Sequence, residues 1–248
     1  MSNKDVLKFQ KECFVNYIND IKVRVPSIPI PYNYPDGNPI RPVIPTKTFQ
    51  NSIMLIGAFP SARFERRNRM LIPIGDNLSP FGHEEYFDGA EVRTQASRDS
   101  LDVNYFSQLG IDVDKIWITD IVKVYLFPEK HIKNCKVIAP GIKFVNTHIL
   151  FPQIASASMK WMIKEIQICN PILIITLGEV AARTISGDKK TSNNKLLNGE
   201  VRQVKFGKLY NIAHLGHPEI RRINKNWDNI TELAIKHLAN KIQELQSG

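Results

Sequence analysis

Short apolar runs alternate along this chain with segments in which apolar residues recur at helical spacing. The runs at 53–57, 116–120 and 172–177 are almost continuously apolar, which is typical of strands buried on both faces of a parallel sheet. Segments 201–206 and 209–213 also have strand character. Helical spacing is found near residues 4–22, 152–168, 178–185 and 227–242. This order predicts an α/β fold, a three-layer α/β/α sandwich with a central, mostly parallel four-stranded sheet.

Residues 1–50 differ from the rest of the chain. Seven prolines fall within 26–45. Because proline lacks an N–H and restricts the residue before it, this segment is expected to be an extended wrap that follows the first helix. An α/β core at about 51–248 comes next, and we expect one domain over residues 1–248. Between the first strand and a helix that ends near Leu109, the pattern predicts a long irregular stretch.

Composition narrows the class of protein. A chain of 248 residues with 43% hydrophobic content can bury one substantial core, and no apolar run approaches the roughly 18 residues of a membrane span. The N-terminal residues lack a signal-peptide pattern, so we expect a soluble, cytoplasmic protein and a monomer. Cys13, Cys135 and Cys169 are far apart and odd in number, which predicts buried thiols. We therefore expect no disulfide, metal or other cofactor.

Basic residues outnumber acidic ones by 33 to 24, giving a formal net charge of +9. Such a field attracts phosphate backbones, and several cations follow the ends of predicted strands, where a nucleic acid would need positioning contacts. A solvated basic face is the alternative interpretation of the same residues. The candidate nucleic-acid contacts are Arg63, Arg66, Arg67, Lys123, Arg221 and Arg222.

Five motifs occur in order along the chain. They are Gly57-Ala58-Phe59-Pro60-Ser61, Ser79-Pro80-Phe81-Gly82, Ile118-Thr119-Asp120-Ile121-Val122-Lys123, the strand and helix from Pro171 to Ala182, and His217-Pro218. In this order and spacing they resemble the uracil-DNA glycosylase superfamily, particularly its bacterial and archaeal family 4 branch. The resemblance spans roughly residues 53 to 222. Each motif alone is a weak signal, and the ordered set is much stronger.

The resemblance implies roles for individual residues. Breaking the bond between a sugar and a base leaves negative charge on the base, and His217 would donate a hydrogen bond to it. His214 is a competing candidate, while His83 is expected to be a loop histidine. Phe81 would stack on a base that has been pulled out of the helix, unless it is simply a core residue. The base-binding set implied by the motifs is Gly57, Ala58, Phe59, Phe81 and Asp120.

The chain departs from the family at the position of its first acidic residue. Family 4 places a glutamate where this chain has Ala58, and the main uracil branch places an aspartate where it has Phe59. Glu65 is the nearest substitute, with Asp76 and Asp88 further along. Otherwise Glu65 simply balances the arginines around it.

Asp120 stands where the family uses asparagine to recognise the base. Uracil presents an N–H donor beside a carbonyl acceptor, whereas an ionised carboxylate only accepts hydrogen bonds. Asp120 would therefore suit a base edge that offers two donors, or uracil if burial keeps the acid protonated. A turn-capping role is the alternative. The iron–sulfur cluster of family 4 needs four cysteines, which this sequence lacks.

These observations predict a base-excision glycosylase that hydrolyses the N-glycosidic bond of a flipped uracil or other modified base in single- or double-stranded DNA. One alternative is a catalytically weak or inactive member that binds nucleic acid or a modified base. Another is a small-molecule nucleotide binder or hydrolase on the same fold, for which DNA binding would be weak and insensitive to salt.

Overall fold

The computed structural model of the protein describes residues 3–247. The predicted domain limits at residues 1 and 248, together with residue 2, lie outside the described residues. The strands are β1 Ile53–Gly57, β2 Ala62–Arg67, β3 Met70–Asp76, β4 Glu85–Phe87, β5 Val92–Thr94, β6 Ile116–Asp120, β7 Leu173–Leu177, β8 Arg202–Phe206 and β9 Lys208–Leu215. The helices are α1 Asn3–Arg24, α2 Ala96–Leu101, α3 Ser107–Leu109, α4 Glu129–Ile138, α5 Phe151–Cys169, α6 Glu179–Ser186, α7 Asn193–Leu196, α8 Pro218–Ile223 and α9 Lys225–Ser247, with a π-helical turn at Asp102–Phe106 between α2 and α3.

The central sheet has the strand order β6-β1-β7-β9-β8. The first four strands are parallel, and β8 pairs antiparallel with β9. The prediction of a mostly parallel sheet in an α/β fold is confirmed, but the number of strands is five rather than four. The fifth strand arises because Gly207, with φ of +81°, reverses the chain between β8 and β9.

Continuous burial of the central strands explains their apolar sequences. Successive side chains of a strand point to opposite faces of the sheet. Met54 and Ile56 of β1 join the core on one face, where α1 and α5 pack together. Ile53 and Leu55 join the second core, which is closed by α9. Helices therefore cover both faces of the sheet, as the sandwich prediction requires.

The proline-rich segment packs against the residues that follow β6 and against the end of β3. The Tyr32 hydroxyl donates to the Tyr125 carbonyl at 2.6 Å, and the Tyr34 hydroxyl donates to Asp76 Oδ1 at 2.7 Å. Both tyrosines are buried. Because Tyr125 also lines the cavity described below, the wrap supports one of its walls.

The prediction of an irregular stretch after β1 is wrong. Two antiparallel hairpins, β2–β3 and β4–β5, occupy this region outside the central sheet. Asn68 and Arg69 form the first turn with φ of 49° and 63°, the left-handed conformations that a two-residue hairpin turn requires. The turn residues are Asn-Arg, not the Asn-Gly pair that identifies such a hairpin turn in a sequence.

Two further features of the structure concern the cysteines and the helices. Cys13, Cys135 and Cys169 are buried free thiols, and burial raises the pKa of Cys13 and Cys135 to about 12. Among residues 3–247, no helix has the length and apolar character needed to cross a membrane.

Candidate functional site

A cavity of about 500 Å³ opens at the carboxyl ends of the parallel strands. Parallel sheets collect the loops that follow their strands at one edge, and ligand sites of α/β proteins lie there. The loops after β1, β6, β7 and β9 each contribute to the wall. Among the lining residues are Ala58, Phe59, Phe81, Asp120, Gly178, Glu179 and His217.

Gly57 lets two predicted site residues meet at the floor of this cavity. It pairs with Asp120 across β1 and β6. A β-carbon on Gly57 would lie 2.1 Å from Asp120 Oδ1 and 2.6 Å from Phe81 Cε2, so both side chains would have to move to accommodate it. The glycine therefore brings a carboxyl group and an aromatic ring together over its Cα atom.

Asp120 is a buried acid whose carboxyl has one unpaired oxygen among the described residues. The residue is 2% exposed, and within the described structure Oδ1 contacts no donor. Burial raises the pKa of this carboxyl to about 7, although the nearby Lys123 ammonium opposes the shift. An unpaired buried polar atom is costly, and Asp120 is also one of the residues that line the cavity.

Lys123 lies below Asp120 in a buried polar network. Its ammonium donates to Glu165 Oε2 and Thr119 Oγ1, each at 2.5 Å, and to the Asp120 carbonyl at 2.6 Å. Trp117 Nε1 donates to the other Glu165 oxygen at 2.7 Å. Lys123 and Glu165 have no exposed side-chain surface. The ammonium therefore supports the β6 end and is not accessible to a phosphate.

The Phe81 ring is held by an unusual backbone conformation. Its φ is 47°, which is rare for a bulky residue and is associated with functional sites. The buried Arg98 donates through Nη1 to the Phe81 carbonyl at 3.2 Å and also pairs with Asp102. The Phe81 ring centroid lies 6.1 Å from that of His217, with the planes tilted by 45°. These contacts direct the ring toward the cavity.

His217 is placed with a defined tautomer. It caps α8, where its Nδ1 accepts from the Glu219 backbone N–H at 3.2 Å. Burial lowers the pKa of the imidazole, so the neutral form is favoured, and its proton then belongs on Nε2. His217 packs against Gly178, where a β-carbon would lie 3.2 Å from His217 Cβ. The site thus contains a neutral N–H donor.

The two other candidate histidines lie elsewhere. His214 belongs to β9 and contacts Thr176 Oγ1 through Nδ1 at 2.7 Å, and burial lowers its pKa to about 4. It does not line the cavity. His83 is exposed and contacts Asp102 at 3.0 Å.

The sequence of this chain matches a known family. The family model of the uracil DNA glycosylase superfamily matches residues 46–243. The chain belongs to the uracil DNA glycosylase superfamily. A search of curated proteins finds no match for it.

None of the three acids predicted as substitutes for the superfamily's first acidic residue lines the cavity. Ala58 lines the cavity, and Phe59 packs against His148 and Phe151 with ring centroids 5.3 and 5.7 Å away. Glu65 lies on β2 outside the lining and pairs with Arg67. Asp76 and Asp88, the two further acids, already accept hydrogen bonds within the protein. Asp76 accepts from Tyr34 and the Arg41 backbone, and Asp88 accepts from Arg93, Arg66 and two backbone N–H groups.

Glu179 is an acid of the site that sequence reasoning missed. It lines the cavity directly after Gly178, at the first position of α6. Arg183 Nε donates to its Oε1 at 2.8 Å and Asn193 Nδ2 to its Oε2 at 2.7 Å, and these bonds lower its pKa. The sequence signal that could have identified Glu179 is its position immediately after a buried strand.

The predicted nucleic-acid contacts are all engaged in ion pairs within the protein. Arg221 is buried and also lies over the Tyr105 ring. The predicted basic surface is therefore largely neutralised by neighbouring carboxylates. The pairs are Arg63–Glu84 at 2.8 Å, Arg66–Glu91 at 2.7 Å, Arg67–Asp36 at 2.7 Å, Lys123–Glu165 at 2.5 Å, Arg221–Asp228 at 2.7 Å and Arg222–Glu219 at 2.6 Å.

Among the described residues, no group of three His, Cys, Asp or Glu side chains could hold a metal ion. The cavity combines a neutral donor, an aromatic ring, an unpaired acid with a raised pKa, and an ionised glutamate. This set can bind a planar base and stabilise charge on it.

Proposed function

We propose that the protein is a monofunctional DNA glycosylase that hydrolyses the N-glycosidic bond of a flipped base. The observation that supports it is the meeting of Asp120, Phe81 and His217 around Gly57 and Gly178 in one cavity. Such a site holds a base by its face and by two of its edges. Because a duplex hides the bond under attack, the nucleotide must leave the stack to reach it.

His217 acts on the departing base. In the reaction the bond between the base nitrogen and sugar C1′ breaks, its electron pair stays on the base, and water supplies the new oxygen at C1′. The neutral Nε2–H donates to the base oxygen on which charge develops. Preorganised donors of this kind contribute roughly 3 kcal/mol, or about 100-fold in rate. The water proton leaves to solvent or to a carboxylate.

Asp120 selects the base. When protonated it offers one donor and one acceptor, and can pair with either a uracil or an amino-bearing edge. When ionised it only accepts, and so favours an edge with an amino group. With a pKa of about 7, both forms are populated near neutral pH. We expect uracil to be a good substrate only on the acidic side of this range.

A second candidate function is binding without catalysis. It is favoured by Ala58 and Phe59 at the positions where the superfamily places its first acid. In a catalytic protein, the ionised Glu179 carboxylate would stabilise the cationic sugar in place of the missing acid. A protein that only binds the base would not depend on Glu179.

Base release distinguishes these functions. Labelled oligonucleotides carrying uracil, cytosine, 5-hydroxymethyl derivatives or hypoxanthine are incubated with protein, and abasic sites are revealed by alkaline cleavage. Release should fall about 100-fold in His217→Ala and stay unchanged in His237→Ala, whose histidine lies exposed on α9. No release from any substrate by folded protein would favour the binding function.

A further inference from the structure

The cavity extends beyond the space that a plain pyrimidine needs. Asp120 Oδ1 lies over Gly57 at the end of β1, and His217 lies beside Gly178 at the end of β7. These strands are neighbours, about 5 Å apart, so one ring placed between Asp120 and His217 occupies that interval. The residues that follow β6, on the other side of β1, line the remaining part of the cavity.

This remaining part has an aromatic wall that contains two histidines. The Phe64 ring centroid lies 5.0 Å from His131, and the Phe59 ring centroid lies 5.3 Å from His148. Together with Tyr125, these residues line the cavity and form what we call the side subsite. An apolar wall with a few polar groups is the usual composition of a ligand pocket.

Tyr125 fixes the donor that His131 presents. The Tyr125 hydroxyl contacts His131 Nδ1. The tyrosine is buried, and among the described residues His131 Nδ1 is the hydrogen-bond partner of its hydroxyl. Because a buried hydroxyl must donate, Nδ1 accepts, and the proton of the neutral ring lies on Nε2. Burial and the neighbouring Lys130 lower the pKa of His131, which keeps it neutral.

We propose that the side subsite binds an oxygen-bearing exocyclic substituent, of the hydroxymethyl type, on a pyrimidine base held by Asp120 and His217. The proposal rests on the proposed function for the placement of the base. The aromatic wall accommodates the methylene group, and His131 Nε2–H donates to the oxygen. His131 is therefore a specificity-determining residue. The superfamily motifs do not include it.

Free nucleosides test this without requiring cleavage or DNA. Kd is measured by calorimetric titration at pH 8 for cytidine, 5-hydroxymethylcytidine, uridine and 5-hydroxymethyluridine, each as the 2′-deoxy form. The two base types report on Asp120, and the presence or absence of the hydroxymethyl group reports on the side subsite. The proteins are the wild type, His131→Phe, which keeps ring volume, and the exposed control His237→Phe.

The hydroxymethyl group should tighten wild-type binding about tenfold for either base, the effect of one hydrogen bond at the upper end of its usual range. His131→Phe should lose this gain while binding the unsubstituted nucleosides as before, and His237→Phe should keep it. Equal affinity for substituted and plain nucleosides, a gain that survives in His131→Phe, or no binding of any nucleoside would overturn the proposal. Absence of base release by the folded wild-type protein in the oligonucleotide experiment would instead overturn the proposed function.

Discussion

Replacement of Asp120 by asparagine should stabilise the protein in a pH-dependent manner. The carboxyl is 2% exposed with an unpartnered oxygen, and its pKa of about 7 lies far above the unfolded value near 3.9. A raised pKa means that the folded state binds the proton more tightly than the unfolded state. The associated stability is fully present below pH 4 and is lost as the pH rises through 7. Asparagine has the same shape and never ionises.

The size of this effect follows from the two pKa values. By linkage, ionisation of Asp120 removes about 1.5 kcal/mol of stability by pH 5 and about 4 kcal/mol by pH 8. The advantage of Asp120→Asn over the wild type should therefore grow by about 2.5 kcal/mol between these two pH values. For a chain of this length, that corresponds to a change in the Tm difference of roughly 5–10 °C.

Urea unfolding at pH 5, 6, 7 and 8 measures this growth directly, provided that the slope against urea is the same for both proteins. Asp114→Asn is the matched control for an exposed acid, because the Asp114 side chain is 78% exposed and its ion pair with Lys47 lies at the surface. A stability difference for Asp120→Asn that stays constant from pH 5 to pH 8 would refute the assignment of a buried, unpaired acid with a raised pKa.

Three other expectations concern the network, the floor of the cavity and the surface charges. Glu165→Gln should destabilise the fold by about 3–5 kcal/mol in thermal unfolding, because it leaves the Lys123 ammonium buried without a carboxylate; a loss below 1 kcal/mol would contradict this. Gly57→Ala should abolish nucleoside binding in calorimetry while circular dichroism stays native, since its β-carbon displaces Asp120 and Phe81; unchanged affinity would contradict it. Oligonucleotide affinity should fall with salt at a log–log slope shallower than roughly −3, because the predicted cations are already paired, and a slope near −6 would show that these pairs open on binding.

The parallel part of the sheet was predictable because its physical signal is local. A strand buried on both faces is mostly apolar, and β1, β6 and β7 are buried at every position. The edge strand β8 alternates between half-buried and exposed residues, which makes its place in the sheet harder to infer. The β2–β3 hairpin was missed because it lies outside the sheet and mixes charged and apolar residues.

The residues that meet in the cavity were predictable to the extent that they follow strands. Gly57, Asp120 and His217 stand at strand ends, and parallel strands bring their ends to one edge. Their catalytic and base-binding roles remain predictions. His131 and His148 were not identified, because they come from α4 and the loop after it, and nothing local indicates that those segments reach the cavity.

The pairing of the arginines could not be predicted from charge alone. Arg67 follows Glu65 closely, but its second partner, Asp36, comes from the proline-rich segment. Arg221 likewise pairs with Asp228 of the next helix and contacts Tyr105 from a distant part of the chain. Net charge describes the field of the whole molecule and does not reveal which cations remain available to a phosphate.

The mass of an oligonucleotide before and after incubation with the protein tests the central claim most directly. The substrate carries one modified pyrimidine, and the reaction is run in water enriched in ¹⁸O. A glycosylase predicts loss of the free base and incorporation of one ¹⁸O atom at the abasic sugar, both greatly slowed in His217→Ala. An oligonucleotide that is bound by the protein but recovered with its mass unchanged, for every base tested, would contradict the account.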